Sequence, residues 1–288
     1  MNIGFIGAGK VGTAFGKYLV DKGFEVEGYY SRSQKSSEKA AAFTNSRAYY
    51  EASELTRKLD IIFITTNDDE IERVCDNLVQ DDLLKRGQVV IHMSGAASSK
   101  ILDSAKRTGC FTYSVHPLQA FADIEKAVQD LPNTVFSIEG DEEKIDVVEK
   151  ILKTTGNGFF NISSEQKTIY HATACVLSNY FVTLMDYGLS LFEAIGIDGK
   201  EGYKAMYPLI EGTMKNIHEL GTEKALTGPI ARGDVNTIEK HVESIGNMTQ
   251  DKLDFYKLMG DMTLSLAKKD KLDSYEKIKE LQNILRGE

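Results

Sequence analysis

The chain has no surplus of positive charge: 34 Lys and Arg stand against 43 Asp and Glu, a formal net charge of −9. No basic stripe is available to neutralise a phosphate backbone, so a nucleic-acid partner is not expected. A small anionic substrate is not excluded, because one arginine or a helix terminus can outvote the global charge locally. Cysteine is scarce as well. Cys75, Cys110 and Cys175 are scattered, odd in number and outside any Cys-x-x-Cys spacing. That argues against a disulfide framework and reads as a reduced, cytoplasmic protein with its thiols in the core. His218 and His241 lack partners at metal-ligand spacing and His92 falls in an apolar strand, so no metal is expected. There is no basic leader or cleavage site, because strand-like residues begin at Asn2. The most apolar long stretch, 172–192, is interrupted by Asn179 and Asp186. It reads as a core helix, and no membrane association is expected. Internal repeats and low-complexity segments are absent.

What is present begins at residue 1. An apolar strand, Asn2 to Ile6, runs into Gly7-Ala8-Gly9-Lys10-Val11-Gly12, and a helical pattern follows to Lys22-Gly23. In that setting each glycine has a separate use: Gly7 for the tight turn, Gly9 for close approach of a pyrophosphate, Gly12 for packing the helix on the strand. The free N–H groups at the helix start then face an anion. The turn therefore predicts dinucleotide binding.

At 288 residues the chain is long enough for two domains. Apolar strand-like runs at 24–30, 60–65, 88–92, 111–115, 134–138 and 158–162 alternate with helical patterns at 36–43, from Asp68, 98–106 and 142–153. A short strand and a turn fall at 49–55. This is the pattern of an α/β doubly wound sheet of the Rossmann type. After Ser163 strand signals vanish. Residues 165–195 can hold one long helix, with Gly188 as the candidate break, and further helices are expected at 200–219, 237–246, 253–268 and 274–286. The expected organisation is a nucleotide-binding domain, 1–163, and an all-helical substrate-binding and dimerisation domain, 164–288.

The end of the second strand selects the cofactor. An Asp or Glu there would accept from the adenosine ribose hydroxyls, but the residues are Tyr30-Ser31-Arg32-Ser33. Arg32 can grip a 2′-phosphate through two charge-assisted bonds, with Ser31 and Ser33 adding neutral ones, so NADP(H) is expected over NAD(H). Three more loops leave strand ends on the same sheet edge: Thr65-Thr66-Asn67-Asp68, His92-Met93-Ser94-Gly95 and His116-Pro117-Leu118. They are expected to line the ribose and nicotinamide. Asn67 has an equal reading as a helix cap.

The glycine motif, Ser94-Gly95, Val115-His116-Pro117-Leu118, Tyr170-His171-Ala172, Ser178-Asn179-Tyr180 and the stretch from Ala225 through Thr227-Gly228-Pro229 to Arg232-Gly233-Asp234 occur in order. Together they resemble a family of Rossmann-like NADP oxidoreductases with an uncharacterised C-terminal helical domain. That domain is of the 6-phosphogluconate dehydrogenase group, which pyrroline-5-carboxylate reductase shares. Some members act as non-standard ketopantoate reductases in pantothenate biosynthesis. The resemblance implies reduction of a small 2-oxo acid, with ketopantoate the leading candidate. Better-known ketopantoate reductases carry a Lys with an Asn four residues on. Here Lys167 is followed by His171 at that spacing, and a one-turn realignment puts His171 in the lysine's place.

Carbonyl reduction needs a hydride donor over one carbonyl face, an acid for the oxygen and a cation for a carboxylate. Lys167, His171 and His116 are the candidate acids, and Ser178 and Asn179 could line the same pocket about two turns along the helix. Thr227, Gly228 and Arg232 are candidates for substrate binding. Each has a structural alternative, from a satisfied core histidine to a helix-breaking Gly-Pro turn or an Arg232–Asp234 ion pair. Two other functions remain open: reduction of a cyclic imine, which arrives protonated and needs no acid, and a non-catalytic NADPH-binding regulator. A homodimer through the C-terminal helices is expected from the apolar 172–192 helix.

Overall fold

The computed structural model describes residues 1–287. Eight strands form one sheet: β1 (Ile3–Ile6), β2 (Val26–Tyr30), β3 (Arg47–Tyr49), β4 (Ile61–Ile64), β5 (Val89–His92), β6 (Phe111–Pro117), β7 (Phe136–Gly140) and β8 (Phe159–Asn161). Their order is β3-β2-β1-β4-β5-β6-β7-β8. All neighbours are parallel except β6 and β7. The strand order reverses between β1 and β4, and ligands of such sheets bind outside the strand ends at that point.

The central strands read as unbroken apolar runs because both faces are covered. Ile61 and Phe63 of β4 join one core, with Phe5, Phe15 and Tyr29, while Ile62 and Ile64 join the other, with Leu55, Ile71 and Val90. Phe5 stacks between Tyr29 and Phe63, with ring centroids 5.0 and 5.2 Å away. The covering helices are α1 (Lys10–Asp21), α2 (Gln34–Thr44), α3 (Ala52–Thr56), α4 (Asp68–Gln80), α5 (Asp103–Arg107), α6 (Ile124–Asp130) and α7 (Ile145–Thr155). Two of these, α3 and α6, are not evident in the sequence pattern. The 98–106 helix is split, with a 3₁₀ turn at Ser99–Leu102 before α5.

The long helix expected over 165–195 is interrupted at Ser178, not at Gly188. It forms α8 (Lys167–Leu177) and α9 (Asn179–Ala194), with Ser178 at φ −114° and ψ −67°. Gly188 stays inside α9, where one glycine costs only about 1 kcal/mol relative to alanine. The chain divides into two compact units, Met1–Leu177 and Ser178–Glu288. The first unit therefore runs past Ser163 and includes α8, because Lys167 and Tyr170 bond to β6.

In the second unit follow α10 (Gly199–Ala225), α11 (Pro229–Arg232), α12 (Val235–Gly246), α13 (Gln250–Ala267) and α14 (Tyr275–Arg286). Gly221, at φ 77°, kinks α10. The core of this unit is Ile230, Ile238, Leu264, Leu281 and Leu285, from α11 to α14. Among the described residues no helix is long and apolar enough to cross a membrane.

Candidate active site

The turn after β1 is fixed by sterics at two glycines. Gly7 sits at φ 105°, and a β-carbon there would lie 2.7 Å from the Thr65 backbone. A β-carbon on Gly12 would lie 2.2 Å from Thr65 Oγ1, which donates to Gly7 O at 2.9 Å. Gly9 is different: the nearest atom to its missing β-carbon is Thr65 O at 3.6 Å, so its backbone is open to a ligand. Gly9 precedes α1 without a side-chain cap, and the first turn of α1 carries no acid. The unpaired N–H groups of that turn are a site for an anion. Ala8 and Val11 pack on the sheet core, leaving their backbone to the turn. Lys10 donates from Nζ to Ala122 O at 2.6 Å, tying the turn to the loop before α6.

Two cavities meet at Gly9 of this turn. The larger, about 470 Å³, is lined by Gly7, Ala8, Gly9, Ser31, Arg32, Ser33, Thr65, Thr66 and Asn67. The smaller, about 290 Å³, is lined by Gly9, Lys10, Val11, Thr65, Thr66, Asn67, Met93, Ser94 and Phe121. Thr66 Oγ1 is buried without a hydrogen-bond partner while lining both cavities, as a group awaiting a ligand would be. Asn67 precedes α4 but its side chain makes no cap bond, so the amide is free for the cavity. Arg32 is exposed, and Ser33 Oγ accepts from Ser36 Oγ at 3.0 Å. These residues fit an adenine dinucleotide carrying an extra phosphate. The cavity also recruits Glu70, Arg73 and Asn77 of α4, which sequence reasoning missed. Their helical spacing along an acid-rich helix was the available signal.

Beyond Ser94 lies a cluster of polar side chains in the first unit. Ser94 N donates to His92 Nδ1 at 3.2 Å, and His92 Nε2 lies 3.1 Å from Ser98 O. His92 is therefore a neutral imidazole that donates to Ser98, and burial pushes its pKa down to about 3. Ser94 Oγ donates to Asp68 Oδ2 at 2.6 Å and accepts from the Ala96 and Ala97 amides. These bonds fix the Ser94-Gly95 loop.

Lys167 opens α8 and is 1% exposed. Its Nζ donates to Ser114 Oγ at 2.7 Å, and Ser114 Oγ donates to Ser94 O at 3.2 Å. Burial lowers its pKa to about 8, opposed by the charges of Glu139 and Asp68. Glu139, paired with Ser114 across β6 and β7, accepts from Ser99 N and Oγ at 2.6 and 2.8 Å. Buried Ser114 and Glu139 were also missed. The signal was a polar residue inside each of two apolar strands.

His116 shares a face of β6 with Ser114. Its Nδ1 lies 2.7 Å from Tyr170 Oη. Burial, then the charges of Lys167 and His171, lower its pKa to about 4. The neutral ring shares a hydrogen bond with the tyrosine hydroxyl at Nδ1, which leaves Nε2 on the side of Gly95. His171 approaches from α8, with ring centroids 6.5 Å apart. A β-carbon on Gly95 would lie 2.7 Å from His116 Nε2 and 2.8 Å from His171 Nδ1. His171 Nδ1 is buried and unpartnered, while its Nε2 lies 3.5 Å from Cys175 Sγ. The three candidate acids thus gather around Ser94, Gly95 and Ser114, and the two imidazoles supply the atoms nearest to the missing β-carbon of Gly95.

The other expected residues belong to the second unit. Ser178 and Asn179 begin α9 and are exposed. Thr227 is exposed, and Gly228, at φ 96°, precedes Pro229 at the first position of α11. Arg232 is exposed and forms no ion pair with Asp234, whose carboxylate accepts from Thr237 N and Oγ1 to cap α12. Among the described residues no three His, Cys, Asp or Glu come together as a metal site.

Residues 1–117 match the family model of a Rossmann-like domain, and residues 134–263 match a domain of unknown function, DUF2520. The two models follow one another along the chain, a Rossmann-like domain and then DUF2520. The crystal structure of protein TM1727 from Thermotoga maritima is 25% identical to this chain, with a TM-score of 0.72 over 94% of this chain and 100% of that one. A Bacteroides fragilis protein, BF3122, provisionally titled an NADP oxidoreductase, is 22% identical, with a TM-score of 0.71 over 92% and 98%. An imine reductase from Pseudomonas sp. is 16% identical, with a TM-score of 0.62 over 99% and 98%. The last two share the fold. No curated protein matches this chain in sequence.

Proposed function

We propose that the protein is an NADP(H)-dependent reductase of a small 2-oxo acid, with 2-dehydropantoate (ketopantoate) the best single candidate. The observation that carries this reading is the pair of imidazole nitrogens, His116 Nε2 and His171 Nδ1, that converge on Gly95 next to the cavity residue Ser94. Bound NADPH would supply a hydride. The chain's own residues would do the rest. The Gly7–Gly12 turn, Arg32, Ser31 and Ser33 would hold the phosphates, and Thr66 and Asn67 the ribose. His116 and His171 would hold and protonate a developing oxyanion at Gly95. Lys167 is engaged with Ser114, so its part is to keep positive charge near that oxygen. Arg232, an exposed guanidinium without an ion-pair partner among the described residues, is assigned to the substrate carboxylate on its chemistry, with Thr227, Gly228, Ser178 and Asn179 as supporting groups.

Cyclic-imine reduction is the second reading. It is favoured by the engagement of Lys167 with Ser114, because an iminium needs no dedicated acid, and by the shared fold with an imine reductase. NADPH oxidation against a panel of 2-oxo acids and cyclic imines separates the two. His171→Ala and His116→Ala should lose turnover of a 2-oxo acid with NADPH affinity kept. Undiminished turnover in both would overturn the assignment. NADPH binding with no turnover of either class would mark a regulatory protein. We also propose a homodimer. α9 buries none of its own residues, and Tyr180, Val182, Tyr207 and Leu209 are exposed on α9 and α10. A monomeric mass by light scattering would refute it.

A further inference from the structure

One wall of the larger cavity is α4, which presents Glu70, Arg73, Val74 and Asn77 to it. Glu70 and Arg73 form an ion pair one helical turn apart. The Arg73 hydrogen bond holds the Glu70 carboxyl below the usual carboxylate range, and the Arg32 charge adds a weaker pull of the same sign. Glu70 and two guanidinium groups therefore line the cavity that also carries Ser31 and Ser33, with a second carboxylate, Asp81, just past the end of α4.

The chemistry of that trio is unequal. A free carboxylate would accept from two ribose hydroxyls and repel a phosphate ester at the same position, which selects NADH. The end of β2 supplies no such acid, but α4 does. Arg73 covers it. An exposed pair at this spacing is weak in water, so a dianionic phosphate can draw Arg73 away from Glu70. An arginine fork suits that phosphate through two parallel bonds.

We propose that the Arg73–Glu70 pair determines the choice of cofactor: Arg73 masks a carboxylate that would otherwise select NADH, and joins Arg32 on the 2′-phosphate of NADPH. The inference deepens the cofactor reading above and rests on it. Neither side chain belongs to a core, so substitutions there leave the fold intact, which equal melting temperatures would verify.

The test is direct titration of the whole protein with NADPH and with NADH, read by nucleotide fluorescence. Arg73→Ala should weaken NADPH about tenfold or more and tighten NADH. Adding Glu70→Gln to Arg73→Ala should remove the gain in NADH affinity. Glu70→Gln alone, which frees Arg73 for the phosphate, should tighten NADPH. If Arg73→Ala changes both cofactors by the same factor, or changes neither while the wild type binds NADPH, this inference fails and the cofactor reading stands. If the wild type binds neither nucleotide, both fail.

Discussion

Lys167 Nζ donates to Ser114 Oγ at 2.7 Å, from the first residue of α8 to the middle of β6. The lysine is almost wholly buried, and burial lowers its pKa from an ordinary 10.5 to about 8. A base with a depressed pKa binds fewer protons folded than unfolded between those values. Stability should therefore rise with pH from about 8 to 10.5 on this account, by up to ~3 kcal/mol. Urea denaturation of the wild type and Lys167→Met across that window should show the rise in the wild type alone. Parallel curves would contradict the buried cation.

His92 and His116 are held neutral by burial, with pKa values of about 3 and about 4. Each contributes stability that is lost as pH falls from the unfolded value of about 6.5 toward the folded one. Histidine proton NMR should find both rings neutral at about pH 5. A midpoint near the free-imidazole value for either ring would show that it faces water.

Gly12→Ala pits two effects against each other. Helix propensity favours alanine by up to about 1 kcal/mol. The new β-carbon meets Thr65 Oγ1 at 2.2 Å, and moving that hydroxyl breaks its bond to Gly7 O. Overpacking of this kind costs about 1–3 kcal/mol, so the clash should win. A lower melting temperature with weakened NADPH binding is expected. Unchanged binding would mean the turn does not hold the cofactor.

Gly95→Ala places a methyl group between two imidazoles, 2.7 and 2.8 Å from their nearest nitrogens. Turnover should fall at least tenfold with NADPH affinity within a factor of about two, since general acid catalysis is worth about 10²–10⁴. Steady-state kinetics beside nucleotide titration would reveal this. Equal losses in both would place Gly95 in cofactor binding instead.

Much of this site was legible because its parts are local. The Gly7–Gly12 turn, the Ser31–Ser33 end of β2 and the Thr65–Asn67 loop follow apolar strands that announce themselves, and all three line the larger cavity. The interruption at Ser178 carries no glycine or proline, so nothing in the local pattern placed it. The membership of α8 in the first unit depends on a hydrogen bond from Lys167 to a serine 53 residues away, and no periodicity encodes such a bond. Arg32 and Arg73 show the same division. The first stands in a loop where chemistry is expected, and the second is hidden among the charges of a helix whose cavity face only the fold defines.

The proposed reductase would pass reducing equivalents from the Gly7–Gly12 cavity to a carbonyl held at Gly95. NADPH absorbance, followed with purified protein against ketopantoate, other 2-oxo acids and cyclic imines, measures that transfer. A 2-oxo acid should drive oxidation that is abolished in His171→Ala and in Gly95→Ala. Oxidation by cyclic imines alone, or none with any substrate, would refute carbonyl reduction here.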